Sequence, residues 1–183
     1  SRRVAGWDAD PGILRSSGLE AAGSLAEAVA GAELVVVAVP VGSLVEATRA
    51  VLDVASRETT VTDVGSTKRA LAQTIDDSRF VPGHPLAGGA TGGPGRAAAD
   101  LFDGALWFLT PTAASEAERV ALVERFVSTL GARSVRLDAA THDRLLAVTS
   151  HVPHALANLL MQNVAGAGDD ALGYAGASLR EMT

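Results

Sequence analysis

The sequence predicts an α/β fold: a doubly wound, mostly parallel sheet followed by the start of an all-helical segment. Three observations predict it. Short β-branched runs alternate with amphipathic, alanine-rich stretches as far as residue 138. The clearest run, AELVVVAVP (32–40), is apolar on both faces, as a strand covered by helices on both sides must be, and is expected to be central and parallel. From Ala139 onward apolar residues recur at helical spacing and no strand signal returns. The expected units are therefore 1–138, an α/β unit, and 139–183, the opening of a helical one.

The elements follow in order. RRVAGWD (2–8) reads as a strand ending at Asp8, with a short helix after Pro11 and a second over 23–31, stopped by Gly31. The strand 32–40 leads to a helix over 42–56, for which Ser43 is the expected N-cap. TTVTDVG (59–65) is a strand, STKRALAQTI (66–75) its helix, and RFVPGHP (79–85) a strand that runs out at Pro82 and Gly83. LAGGATGGPGR (86–96) has the character of a binding loop. A strand over 105–111 precedes a helix over 115–131, with a capping box expected at Ser115 and Glu118, and a last strand covers 133–138. The helix after Ala139 is expected to break or kink at Pro153.

A doubly wound sheet normally opens with a strand, a glycine-rich phosphate loop and a helix. No G-x-G-x-x-G occurs in residues 1–20, and the chain stops at GASLREMT within helical sequence. Both ends point to an internal portion of a longer protein.

Composition narrows the function classes. At 183 residues and 48 % hydrophobic, the chain has material for one ample domain and part of another. A net charge of −6 argues against a nucleic-acid surface. No apolar stretch approaches the roughly 20 residues of a membrane span. The absence of cysteine excludes disulfides and thiolate metal sites. No signal peptide is visible, so a cytoplasmic location is expected.

Several residues stand where chemistry is done in such folds. Asp8 ends a strand, where an acidic side chain can accept hydrogen bonds from a ribose. Pro40 stands at the carboxyl edge of the 32–40 strand, the edge over which ligands lie in open α/β sheets. In TDVGSTK (62–68), Asp63 ends a strand and Ser66 and Thr67 are expected to open a helix with Lys68 in its first turn, presenting N–H groups to an anion. His84 lies at a strand end between two prolines, and imidazole is the usual acid–base group near neutral pH. Each has an ordinary alternative: a loop aspartate, an N-cap serine, a core histidine. The shared sheet edge of Pro40, Ser66 and His84 strengthens the functional reading.

The helical run THDRLLAVTSHVPHALANLL carries His142, Ser150, His151 and His154. His151 and His154 are three apart and share a face of an intact helix. The zinc motif H-E-x-x-H needs a spacing of four and a glutamate, so no metal site is expected.

Taken together, GWDADP, VVVAVPV, DVGSTK, GHPLAGGATGGPGRAAADLFDGALWFLTP, HDRLLAVTSHVPHALANLL and GASLREMT resemble the prephenate/arogenate dehydrogenase family, over essentially the whole chain and in order. The resemblance implies a Rossmann-type NAD(P)-binding domain over 1–138, then the start of a helical domain that binds substrate and builds a homodimer, with the active site between them. It implies NAD-dependent oxidative decarboxylation of prephenate to 4-hydroxyphenylpyruvate in tyrosine biosynthesis, or oxidation of arogenate to tyrosine. By position, His84 matches the residue that takes the proton from the ring C4 hydroxyl, and Ser66 the serine that hydrogen-bonds that hydroxyl and holds His84 in place. His154 matches the helix histidine at the substrate, with His151, Ser150, Gly88 and Arg180 around it. Asp8, Val39, Pro40, Asp63 and Ser66 fall beside the cofactor. The acidic Asp8 repels a 2′-phosphate, so NAD is expected, with NADP possible.

Three departures accompany the likeness. The glycine-rich loop is absent from these residues, and the family's substrate-clamping arginine falls beyond Thr183. Where many relatives carry an acid or amide soon after H-P-x-A-G, this chain has Ala90, which cannot pair with the ammonium of arogenate and tips the expectation toward prephenate. Two rivals remain. Dehydrogenases of the β-hydroxyacid or 6-phosphogluconate kind use a lysine in the interdomain helix, and no lysine follows Lys68 here. A non-catalytic remnant or binding module of the same family is the other, motivated by the missing loop.

Overall fold

The structure, a computed structural model, describes residues 3–88, 95, 97–168 and 170–182. The chain divides into two compact units, Ser1–His142 and Asp143–Thr183.

The first unit is Rossmann-like, with parallel strands and intervening helices. Strand β1 (Ala5–Gly6) pairs in parallel with β2 (Glu20–Ala21) across helix α1 (Pro11–Ser17). The Asp10 carboxylate caps α1 by accepting from Gly12 N at 2.7 Å, and Gly18 ends it at φ 71°. Helix α2 (Leu25–Val29) is capped reciprocally. Ser24 Oγ accepts from Glu27 N at 3.1 Å, and the Glu27 carboxylate accepts from Gly23 N at 2.7 Å.

Strand β3 (Leu34–Val37), helix α3 (Leu44–Val54), strand β4 (Thr60–Asp63), helix α4 (Arg69–Thr74) and strand β5 (Phe80–Val81) form a three-stranded parallel sheet in the order β3-β4-β5. All four residues of β4 are buried, which makes it the central strand. After Pro82 the pairing changes direction. Strand β6 (Gly83–Pro85) runs antiparallel to β7 (Leu106–Leu109), which pairs in parallel with β8 (Arg133–Arg136) across helix α5 (Ala117–Thr129).

Two apolar cores result. One gathers Val29, Val37, Leu44, Val51, Leu52, Val61, Leu71, Ile75 and Phe80. The other gathers Val81, Trp107, Leu109, Val120, Val123, Val127 and Ala132. Phe80 and Val81 are neighbours on β5 yet belong to different cores, because successive side chains leave opposite faces of a strand. Val123 and Val127 are one turn apart on α5, and burying each contributes roughly 1.5–3 kcal/mol.

Helix α6 (Ala139–Leu146) crosses the boundary between the units. The second unit then continues through a π turn (Ala147–His151), helix α7 (Val152–Gly166), a 3₁₀ turn (Ala171–Tyr174) and helix α8 (Ala177–Met182). Val152 N donates to Ala147 O, five residues back. Pro153 has no N–H to continue the ordinary ladder, and the wide turn ends two residues before it.

Several local expectations are corrected. The strand expected over 32–40 is the shorter β3, Leu34–Val37, which among the described residues pairs in parallel with β4. Ser43 precedes α3 after a 3₁₀ turn and makes no capping bond. The helix expected from Ser66 begins at Arg69, because Lys68 is drawn into the interior by Asp63. The capping box at Ser115 does not form: Ser115 Oγ bonds Phe80 O at 2.7 Å, and Glu116 precedes α5. The strand over 79–85 is split in two at Pro82. Most of the expected binding loop, Ala90 included, lies outside the described residues.

Candidate active site

The site is built from the carboxyl ends of β4 and β6. Gly83 and His84 lie side by side on β6, and His84 faces Phe108 in the antiparallel register with β7. His84 is 8 % exposed. Its Nδ1 lies 3.0 Å from Nε2 of His142, and the two rings meet edge to face with centroids 5.2 Å apart. His142 is fully buried, with its ring edge to face with Phe108 at 5.4 Å. A directed bond and edge-to-face ring contacts hold the imidazole pair.

The placement of His142 follows from the start of α6. Asp138 Oδ1 accepts from Thr141 N at 2.8 Å, and His142 N donates to Asp138 O at 2.9 Å. Bonds from the Thr141 side chain and backbone hold the Asp138 carboxyl below its usual range, as expected of an acid at a helix start.

Beneath the pair lies a second constellation. The carboxylate of Asp63 accepts from Gly65 N at 2.8 Å, from Gly83 N at 3.1 Å, and from Lys68 Nζ. Asp63 and Lys68, the chain's only lysine, are both fully buried. Burial pushes the Asp63 carboxyl up, against the opposing pull of Lys68 and the Gly65 and Gly83 N–H groups. Two glycines make the packing possible. A Cβ on Gly83 would stand 2.9 Å from both Asp63 O and Trp107 Nε1, and one on Gly65 would overlap the Leu44 side chain.

The remaining candidates divide between the units. Ser66 lies half-buried in the turn between β4 and α4. Asp8, half-buried beyond β1, accepts from Asp10 N at 2.7 Å. Val39 and Pro40 follow the end of β3 and are at least partly exposed, and Gly88 (φ 133°) follows β6. Asp63, expected beside the cofactor, instead has its carboxylate turned inward to the bonds above. In the second unit, Ser150 and His151 lie in the π turn and His154 in the first turn of α7, all three exposed. Arg180 lies on α8.

The structure thus joins His84 to a residue absent from the expected site, His142. It stands 58 positions away, and no local spacing links the two. Its one available signal was its place four residues after Asp138, at the start of the helical segment. Among the described residues no cluster of three or more potential ligands could hold a metal. Nor is any described helix long and apolar enough to cross a membrane.

Parallel strands joined by helices, with a buried histidine pair on β6 and α6, define a Rossmann-like unit. Residues 2–136 match the family model described as prephenate dehydrogenase, nucleotide-binding domain, and residues 138–183 match prephenate dehydrogenase, dimerization domain. The chain belongs to the prephenate dehydrogenase family.

Cyclohexadienyl dehydrogenase of Zymomonas mobilis is 34 % identical over 144 residues, covering 76 % of this chain and 49 % of that protein. The Streptomyces niveus protein named "Probable prephenate dehydrogenase NovF" is 34 % identical over 182 residues, covering 96 % of this chain and 49 % of that protein. The chain therefore spans about half the length of these curated relatives. Prephenate dehydrogenase from Aquifex aeolicus, in complex with hydroxyphenyl propionate and NAD+, superposes with a TM-score of 0.88 at 27 % identity, covering all of this chain and 68 % of that one.

Proposed function

We propose that this chain serves the NAD-dependent oxidative decarboxylation of prephenate to 4-hydroxyphenylpyruvate, with His84 as the general base. The observation that carries the reading is the buried His84 imidazole, held in one orientation by His142 at the carboxyl edge of the sheet. The reaction removes a hydride from C4 of the ring and a proton from the hydroxyl on that carbon. Loss of carbon dioxide from C1 then leaves an aromatic ring. A neutral imidazole with a lone pair directed at the hydroxyl is suited to take that proton near neutral pH.

The residues present fit a dinucleotide. Asp8 lies beyond the first strand with one carboxylate oxygen bonded to Asp10 N, and Val39 and Pro40 lie open beyond β3. Asp8 would receive the ribose hydroxyls, and its charge disfavours the 2′-phosphate of NADP. When bound, NAD supplies the hydride acceptor. Ser66 would hold the C4 hydroxyl, and His151, His154, Ser150, Gly88 and Arg180 would bind the rest of the substrate. The name of the matched second model supports a homodimer formed through the helical unit. At position 90 an alanine offers no partner for the ammonium of arogenate, which favours prephenate.

The test follows NADH absorbance with the full-length gene product, prephenate and arogenate being supplied in parallel. Prephenate turnover is expected, with a loss of roughly a hundredfold or more in His84→Ala. Turnover of arogenate alone would reassign the substrate, and a fully active His84→Ala would remove the base from the reading.

A further inference from the structure

We infer that His142 is a positioning residue for His84, accepting the Nδ1 hydrogen of that ring and so placing the basic lone pair on His84 Nε2. The inference rests on the reading of His84 as the base and adds a residue, and a defined tautomer, to it.

The argument begins with the 3.0 Å separation of His84 Nδ1 and His142 Nε2. A bond between two imidazole nitrogens uses one hydrogen, so one ring donates and the other accepts. If His142 donated, neutral His84 would carry its own hydrogen on Nε2 and have no basic nitrogen there. If His84 donates, Nε2 holds the lone pair before the reaction. The second arrangement also survives the reaction unchanged. Once Nε2 has taken the substrate proton, His84 is an imidazolium that must donate from Nδ1, and His142 is already in place to accept.

Catalytic histidines in hydrolytic triads receive the same service from a carboxylate, which fixes both tautomer and direction. Here a neutral ring does it. The surroundings suit such a partner, since His142 is fully buried and packs its ring against Phe108. Its backbone is anchored through Asp138, so the ring cannot turn away without unwinding the first turn of α6.

The experiment uses the full-length enzyme, labelled with ¹⁵N-histidine and assigned through His84→Gln. Multiple-bond ¹⁵N–¹H spectra of the wild type at neutral pH should show His84 protonated on Nδ1; protonation on Nε2 alone would overturn the inference. In parallel, His142→Phe keeps a buried ring but has no acceptor. It should lose roughly 10- to 100-fold in kcat with KM for prephenate changed by no more than about twofold. His142→Gln, whose side-chain oxygen can stand near the lost nitrogen, should regain about tenfold of that loss. A folded His142→Phe with wild-type kcat would also overturn it. If neither variant folds by circular dichroism, the wild-type tautomer decides. Full activity in His84→Ala would instead sink the base assignment, whatever the spectra show of the tautomer.

Discussion

The carboxylate of Asp63, at the end of β4, accepts the backbone N–H of Gly83 at 3.1 Å, and this bond ties the strand bearing His84 to the centre of the parallel sheet. The same carboxylate binds Gly65 and Lys68. One buried carboxyl group therefore sets the position of the turn carrying Ser66 and of the residue preceding His84.

Lys68→Met should be strongly destabilising, because it leaves Asp63 buried without a counter-charge. A loss of about 3–5 kcal/mol is expected in urea denaturation at neutral pH. The sign of the pH effect follows from the carboxyl, which burial already pushes up and which loses the opposing pull of Lys68. A group with a folded pKa above its unfolded value contributes stability below the unfolded pKa and loses it as pH rises through the folded one. The variant should therefore regain part of its stability on acidification from pH 8 to pH 5 (a range of about three units). A midpoint independent of pH would refute the account.

Gly83→Ala places a methyl group 2.9 Å from the Asp63 carbonyl oxygen and from Trp107 Nε1, and 3.1 Å from Thr62 Oγ1. Backbone lies on one side and a buried indole on the other, so relief requires moving β6. We expect a loss of about 1–3 kcal/mol, together with reduced turnover because His84 moves with the strand. Thermal unfolding and steady-state rates, measured on the same preparation, would check both parts.

Arg79, in the turn before β5, closes the carboxyl end of α3. Its guanidinium donates to Leu52 O, Ala55 O and Ser56 O at 2.9–3.2 Å and pairs with Asp77 at 2.7 Å. Arg79→Leu should lower stability by about 1–3 kcal/mol at pH 7. Hydrogen bonding to Arg79 holds the Asp77 carboxyl below its usual range. That contribution is present above the unfolded value, near 3.9, and is lost as pH falls through the folded one. The gap between wild type and variant should hence narrow below about pH 4. A gap that stays constant in acid would assign the whole effect to the carbonyl bonds.

Much of the fold was legible because alternation and helical spacing report burial directly. The strands at 34–37, 60–63, 106–109 and 133–136 all fall within predicted runs. The short length of β3 was not legible, since an apolar run does not mark where pairing stops. Ser66 and Lys68 were read as a helix start because local sequence cannot reveal a buried partner; Asp63 competes for the ammonium and delays α4 to Arg69. Ser115 was read as a cap for the same reason, and Phe80 O takes its hydroxyl. His142 eluded the reading of the site because its bond to His84 is a product of tertiary packing alone.

Pro82 joins β5, paired in parallel with β4, to β6, paired antiparallel with β7, in a single buried residue whose carbonyl accepts from Thr110 N at 2.9 Å. Such a junction has no slack. A residue inserted between Pro82 and His84 would turn His84 to the opposite face of its strand and carry it away from His142, so this run admits no gradual change of length.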